Sequence, residues 1–223
     1  MKSCEELRAD GRKILGNALF QGRWLFPLLA CLIVTGIGSF AATYFLIPAI
    51  IIDGALSFGY AMYFLNLARC PDGEEKNFKT LFSGFVKNFG RNFGIGLYMY
   101  LISLCYIGAI YLCTVLTYVI IVPIIFVPVL FVFYYIFVCR YAVVYFVAVD
   151  NPEYGVWQVL RETAILMKGY KWKYFKLQLS FIGWNLVSVF TLGIASYWIT
   201  PYINATNVAF YEQLKELKAS YVE

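Results

Sequence analysis

Residues 93–149 read FGIGLYMYLISLCYIGAIYLCTVLTYVIIVPIIFVPVLFVFYYIFVCRYAVVYFVAV, 57 residues with a single charge, Arg140. No soluble domain carries such a stretch on its surface. A bilayer core about 30 Å thick is crossed by roughly 20 helical residues, so this run is long enough to cross twice. Two more runs flank it: residues 24–68 contain one charge, Asp53, and residues 177–211 contain none. Across the 223 residues, 61% are hydrophobic and only 14% are charged, and the mean hydropathy is +0.70. So few charges cannot keep a protein of this size in solution. The chain is predicted to be an all-α, polytopic helical membrane protein.

The basic residues predict how the runs are threaded. Lys2, Arg8, Arg12, Lys13 and Arg23 precede the first run, and Arg69, Lys76, Lys79, Lys87 and Arg91 lie between the first and second. Arg161, Lys168, Lys171, Lys173 and Lys176 lie between the second and third, and Lys215 and Lys218 follow. With Arg140 these make up all 18 lysines and arginines, and none remains for the turns inside the runs. Cytoplasmic loops carry such an excess of basic residues. The pattern predicts six transmembrane helices as three hairpins, with both termini cytoplasmic and the protein in the cell (cytoplasmic) membrane. Three spans in the middle run would place Lys168–Lys176 outside, so two long, tilted helices fit better.

Each basic segment also reads as an amphipathic cytoplasmic surface helix. The first opens on the capping box Ser3-Cys4-Glu5-Glu6 and presents Leu7, Ile14 and Ala18 on one face. The second opens at Asp72 with Glu75 three residues on, and Phe78, Leu81, Phe82, Phe85 and Phe89 fall at helical spacing. The third opens at Asn151 with Pro152 in the first helical position. Its stripe is Val156, Trp157, Leu160, Ala164 and Met167, and Gly169 stands as its C-terminal stop. The intervals from cap to basic–aromatic junction nearly agree, which suggests one integral membrane domain, 1–223, built as a three-unit parallel repeat: 1–69, 70–149 and 150–223. The alternative is that any helical membrane protein decorates its inner surface in this way.

The junctions supply the membrane-interface anchors: Arg23 and Trp24, then Arg91 and Phe93, then Lys171, Trp172, Lys173, Tyr174 and Lys176. Aromatic rings with a polar edge suit the headgroup layer, and each lysine near an anionic surface contributes about 1 kcal/mol. Nucleic acid is also bound by basic and aromatic residues. Here an uncharged run begins at once, leaving no space for a binding domain, so no nucleic-acid partner is expected. The expected partners are the lipid bilayer, through anionic headgroups, and another membrane protein.

Arg140, Asn185, Asn204 and Asp53 form the candidate intramembrane polar site. Arg140 reads either as a counter-ion for an anionic substrate or as a side chain reaching down to inner headgroups. Asp53 suits the positive end of a helix dipole. Asn185 and Asn204 belong to the polar content of the last hairpin, which either joins helices by hydrogen bonds or lines a solute path. No catalytic, metal or cofactor residues are expected. The chain has no histidine, which excludes a serine–histidine pair and histidine-ligated metal, and no phosphate-binding loop or dinucleotide fingerprint occurs. Its six cysteines read as small apolar residues on spans and reduced cytoplasmic thiols.

From Arg140 onward the chain resembles a known family. The residues that carry the likeness are Arg140-Tyr141, Asp150-Asn151-Pro152-Glu153, Met167-Lys168-Gly169, Leu179-Ser180-Phe181-Ile182-Gly183-Trp184, Thr191-Leu192-Gly193-Ile194, Pro201-Tyr202 and Phe210-Tyr211-Glu212. Leu67-Ala68-Arg69 and Leu81-Phe82-Ser83-Gly84-Phe85 add a looser similarity. They resemble the bacterial integral membrane proteins grouped as domain of unknown function 975, whereas VPIIFVPVLF (122–131) departs from that family's shorter Pro-Gly turn. The resemblance implies a membrane protein and no particular activity. Three functions remain in view: a non-enzymatic membrane adaptor or accessory subunit, a small transporter or permease-like subunit, and a lipid-interacting, membrane-shaping protein.

Overall fold

The computed structural model describes residues 2–16, 22–44, 46–70, 77–117 and 126–220. Among these the chain is helical, with no strand. Helix α1 spans Cys4–Leu15, α2 Gly22–Tyr44, α3 Leu46–Arg69, α4 Ser83–Val86, α5 Phe89–Thr117 and α6 Phe126–Tyr141. Then follow α7 Val144–Asp150, α8 Val156–Leu166, α9 Lys171–Leu179, α10 Ile182–Phe190 and α11 Ser196–Ser220. Among the described residues two helices are long and apolar enough to cross a membrane: α5, and the rod made by α6 and α7 (Phe126–Asp150).

The first turn of α1 forms as its sequence predicts. Ser3 Oγ accepts from the amide of Glu6 (3.2 Å), and Glu6 Oε2 accepts from the amide of Ser3 (2.6 Å). Its apolar face does not lie on lipid. Leu7 and Leu15 are fully buried, and Gly11 brings the helix backbone onto Thr206 of α11.

At the centre stands α3. From Gly54 onward it buries Ala55, Leu56, Phe58, Ala61, Tyr63, Phe64, Leu65 and Leu67 around its circumference. Helices α2, α5, α7 and α11 and the segment 78–86 pack on it. Small residues make this possible. Gly54 meets Gly96 of α5, and Gly59 and Gly84 let the backbone of 78–86 lie directly on that of α3.

The second predicted surface helix is therefore different in the structure. Its expected cap, Asp72 with Glu75, lies outside the described residues. Phe78–Phe82 is a 3₁₀ turn, followed by the single turn of α4. Thr80 and Leu81 point into α3, while Phe82, Phe85 and Phe89 form an exposed ring ladder that continues to Phe93 with centroids 6.2–6.5 Å apart. Backbone contact with α3 outweighs the regular helical spacing, and Asn88 (φ 51°) turns the chain into α5.

The third surface helix starts later than its sequence suggests. Asn151 does not open α8; it closes α7, its Nδ2 donating to Val147 O (2.9 Å). The first residue of α8 is Val156, preceded by Gly155, whose amide donates to Gln158 Oε1 (2.8 Å). The reason is Arg91. Its guanidinium donates to the carbonyls of Ala148 (3.0 Å), Asn151 (2.8 Å) and Pro152 (3.1 Å), holding 151–155 as a fixed loop. Gly169 (φ 86°) adopts the left-handed turn expected between α8 and α9.

The two ends of the molecule differ. One is a packed core containing Leu7, Phe64, Val147, Leu160, Met167, Phe210 and Leu214. The other exposes large apolar side chains of α5 (Leu101, Ile107, Tyr111), α6 (Phe126, Phe131, Phe133) and α10 (Val189, Phe190). Apolar surface of this extent marks a face covered by lipid or protein.

Candidate functional site

The packed end carries a charged cleft of about 680 Å³ between the ends of α7, α8 and α11. Its centre is Asp150, the last residue of α7. Arg69, the last residue of α3, grips that carboxylate with two parallel hydrogen bonds, Nη1 to Oδ1 at 2.7 Å and Nη2 to Oδ2 at 2.9 Å. Lys215 Nζ and the Tyr211 hydroxyl also donate to Oδ2, at 2.6 and 2.9 Å. Arg69 Nε donates in turn to Glu212 Oε1 (2.8 Å). At the rim Lys218 pairs with Glu162 of α8 (3.0 Å).

Helical spacing explains the grouping, because Tyr211, Lys215 and Lys218 stand at i, i+4 and i+7 on one face of α11. The rod α6–α7 is about 37 Å long at 1.5 Å per residue, more than a hydrocarbon core needs, so Asp150 lies at its polar end, clear of the apolar stretch. Burial pushes the Asp150 carboxyl up, but the hydrogen bonds from Arg69, Lys215 and Tyr211 outweigh it and hold the carboxyl at about 2. Asp150 is thus ionised at neutral pH, and the four central charges neutralise one another. None of these residues was among the expected site residues. The available signal was that Leu67-Ala68-Arg69, Asp150-Asn151 and Phe210-Tyr211-Glu212 all carry the family likeness, and the fold brings the three together.

The expected intramembrane site is not one site. Asp53 is exposed on α3, and Asn185 is exposed on α10. Asn204 of α11 donates to Thr200 O (2.9 Å) and reaches Tyr60 OH (3.5 Å), beside a small cavity of about 160 Å³ that Ser57 and Tyr145 also line. Arg140 is exposed, with its guanidinium 5.5 Å from the ring centre of Tyr141. These residues sit on four different helix faces. Within the polar last hairpin, Gln178 donates to Asn207 (3.0 Å), a bond that joins α9 to α11.

The interface anchors divide into two groups. Trp24 is buried, and its indole N–H donates to Gly16 O (2.7 Å) at the end of α1. Arg91 and Tyr174 are likewise folded inward. Phe93 stacks on Phe89, and of Arg23 only the backbone, in α2, is described. On α9, Trp172 is 65% exposed and stacks on Phe175 (4.9 Å), with Lys176 Nζ 5.7 Å from its ring centre. Lys171 and Lys173 share that helix.

Arg91 gives a direct test of its inward role. Arg91→Lys keeps the charge but offers donors from one nitrogen, which cannot span the carbonyls of Ala148 and Asn151. Hydrogen bonds to charged groups contribute about 1.5–3 kcal/mol each, so the variant is expected to lose about 2–3 kcal/mol in thermal unfolding of the purified protein. Proteolysis within 151–155 should rise with it. A lysine variant as stable as the parent would show that the charge alone suffices.

A family model described as protein of unknown function (DUF975) matches residues 92–218. The match begins well before Arg140, where the likeness is first legible, and contains Asp150, Tyr211, Glu212 and Lys215. No curated protein and no solved structure matches the chain.

Proposed function

Because the chain belongs to this family of unknown function, we propose on physical grounds that it is a membrane-embedded, non-enzymatic adaptor or accessory subunit. In this reading it crosses the cell membrane six times as three hairpins with cytoplasmic termini, and the charged cleft faces the cytoplasm and receives a protein partner. The supporting observation is the cleft itself. It is an open hollow of mixed lining that presents charged groups on a firm base, because the charges at its centre satisfy one another and its floor is the buried core residue Val147. Such a base holds the rim pair Glu162–Lys218 in place for a partner's polar groups.

The permease-like reading has less behind it. It wants a polar cavity at mid-membrane containing Arg140 or Asn185; neither lines the small cavity beside Asn204, and the hollow that Arg140 does line lies at the α8–α9 turn, with Lys168 and Gly169.

Extraction of the full-length protein from its native membrane in a mild detergent tests the adaptor. A protein partner in fixed stoichiometry is expected, and Lys218→Glu, which reverses the rim charge without touching Asp150, should release it. A homogeneous particle with no protein partner would overturn the reading.

A further inference from the structure

Away from the cleft, α6 and α9 enclose a groove of about 450 Å³ with an almost wholly apolar lining. Phe131, Val132 and Ile136 form one wall; they are 60%, 59% and 45% exposed. Trp172 and Phe175 form the other, and the edge contact of Tyr135 with Phe175 (5.3 Å) closes the floor. The groove runs along α6 to Cys139. The next residue is Arg140, and there the surroundings change sign. A second hollow of about 490 Å³ is lined by Arg140 of α6, Lys168 and Gly169 of the turn, and Lys171 and Trp172 of α9. The two hollows share Lys171 and Trp172.

Three cations therefore converge from three parts of the chain. No carboxylate lines either hollow, and among the described residues none pairs with Arg140, Lys168 or Lys171. This contrasts with the cleft, where every cation has its acid. Like charges gathered without a counter-ion repel, and an anion relieves that repulsion. Arginine and lysine suit a phosphate in complementary ways, the first as a planar fork and the second as a point charge. A soluble anion would use the basic hollow and leave the groove empty. A lipid without net charge would fill the groove and leave the cations unpaired. Only an anionic amphiphile uses both.

We propose that the groove and the basic hollow are one binding site for an anionic phospholipid. The phosphate of the headgroup sits among Arg140, Lys168 and Lys171, and an acyl chain lies along α6 against Trp172 and Phe175. The site does not depend on the adaptor reading, since it shares no residue with the cleft.

The test uses full-length protein reconstituted in bilayers of equal parts phosphatidylglycerol and phosphatidylcholine, released into mild detergent and weighed intact by native mass spectrometry. One retained phosphatidylglycerol per chain is expected. Each charge near an anionic lipid surface corresponds to roughly fivefold in affinity, so Lys168→Gln with Lys171→Gln should weaken retention by about 25-fold, and Arg140→Gln by about fivefold. Ile136→Trp, which fills the groove and leaves the cations in place, should also lower retention. Lys87→Gln, a cation elsewhere, should leave it unchanged. Equal retention of the two lipids, or undiminished retention in the lysine double variant, would overturn the proposal. A wild-type protein that millimolar inorganic phosphate strips of its lipid, while Ile136→Trp has no effect, would assign the basic hollow to a soluble anion instead.

Discussion

Gly59→Ala is expected to cost about 3 kcal/mol of stability or to abolish recovery of folded protein, although the change adds one methyl group. The methyl would overlap the carbonyl group of Leu81, and the atoms in its way are backbone, which cannot rotate aside. Gly84→Ala makes the same kind of clash from the other side of the seam, against the carbonyl of Ala55. The two contacts belong to one interface, so the double variant should lose less than the sum of the singles. Gly108→Ala is the control: a Cβ there meets open space, and alanine is the better helix former by roughly 0.8–1.0 kcal/mol in water. Thermal unfolding of the three variants in one detergent reads the difference. Equal stability of Gly59→Ala and Gly108→Ala would mean that 78–86 does not rest on α3.

Asp150→Ala is expected to be the most damaging change within the charged cleft. It strands Lys215, leaves Arg69 with Glu212 alone, and removes the acceptor of the Tyr211 hydroxyl. Loss of one partner from a fully buried pair costs about 3–5 kcal/mol. The Asp150 side chain is 11% exposed, but those of Arg69 and Lys215 are 39% and 43% exposed, and water screens part of the loss. About 2 kcal/mol is therefore expected. Arg69→Ala should cost less, since Lys215 and Tyr211 remain on the carboxylate, and the double variant should again be less than additive.

The same group predicts a pH dependence. The Asp150 carboxyl is held at about 2 in the folded protein, below the ordinary 3.8. A depressed carboxyl contributes stability that is full above its unfolded value and is lost as pH falls through the folded one. Asp150 accordingly supports the fold at pH 5 and above, and that support disappears between about pH 4 and 2. Asp150→Asn should be less stable than the parent at pH 6 and converge with it toward pH 2. A constant difference across that range would mean that the carboxylate does not carry the network.

Some of this molecule is legible one segment at a time. The Ser3–Glu6 cap, the turn at Gly169 and the helical character of the long runs follow from residues that are neighbours in sequence, because helix caps, left-handed turns and hydrogen-bond ladders are local. The exposed Trp172, with Lys176 one turn away, belongs to the same class. Arg91 and Trp24 look like interface residues by the same local rules, yet each meets a carbonyl placed by a different helix.

Composition and residue order alone establish that the chain is helical, that it carries long, almost uncharged runs, and where its basic residues cluster. Which apolar faces meet protein is a matter of tertiary packing. It surrounded α3 with other helices, laid 78–86 on Gly59, and left α10 and the part of α5 beyond Gly96 bare. It also brought Arg69, Asp150 and Tyr211 together, and set Arg140 beside Lys168 and Lys171. The physical reason is that lipid and protein interior are equally apolar, so periodicity shows that a face avoids water without showing what covers it. Charges far apart in sequence meet only when packed helices bring them into register, and that register depends on glycines whose role becomes visible when another backbone lies against them.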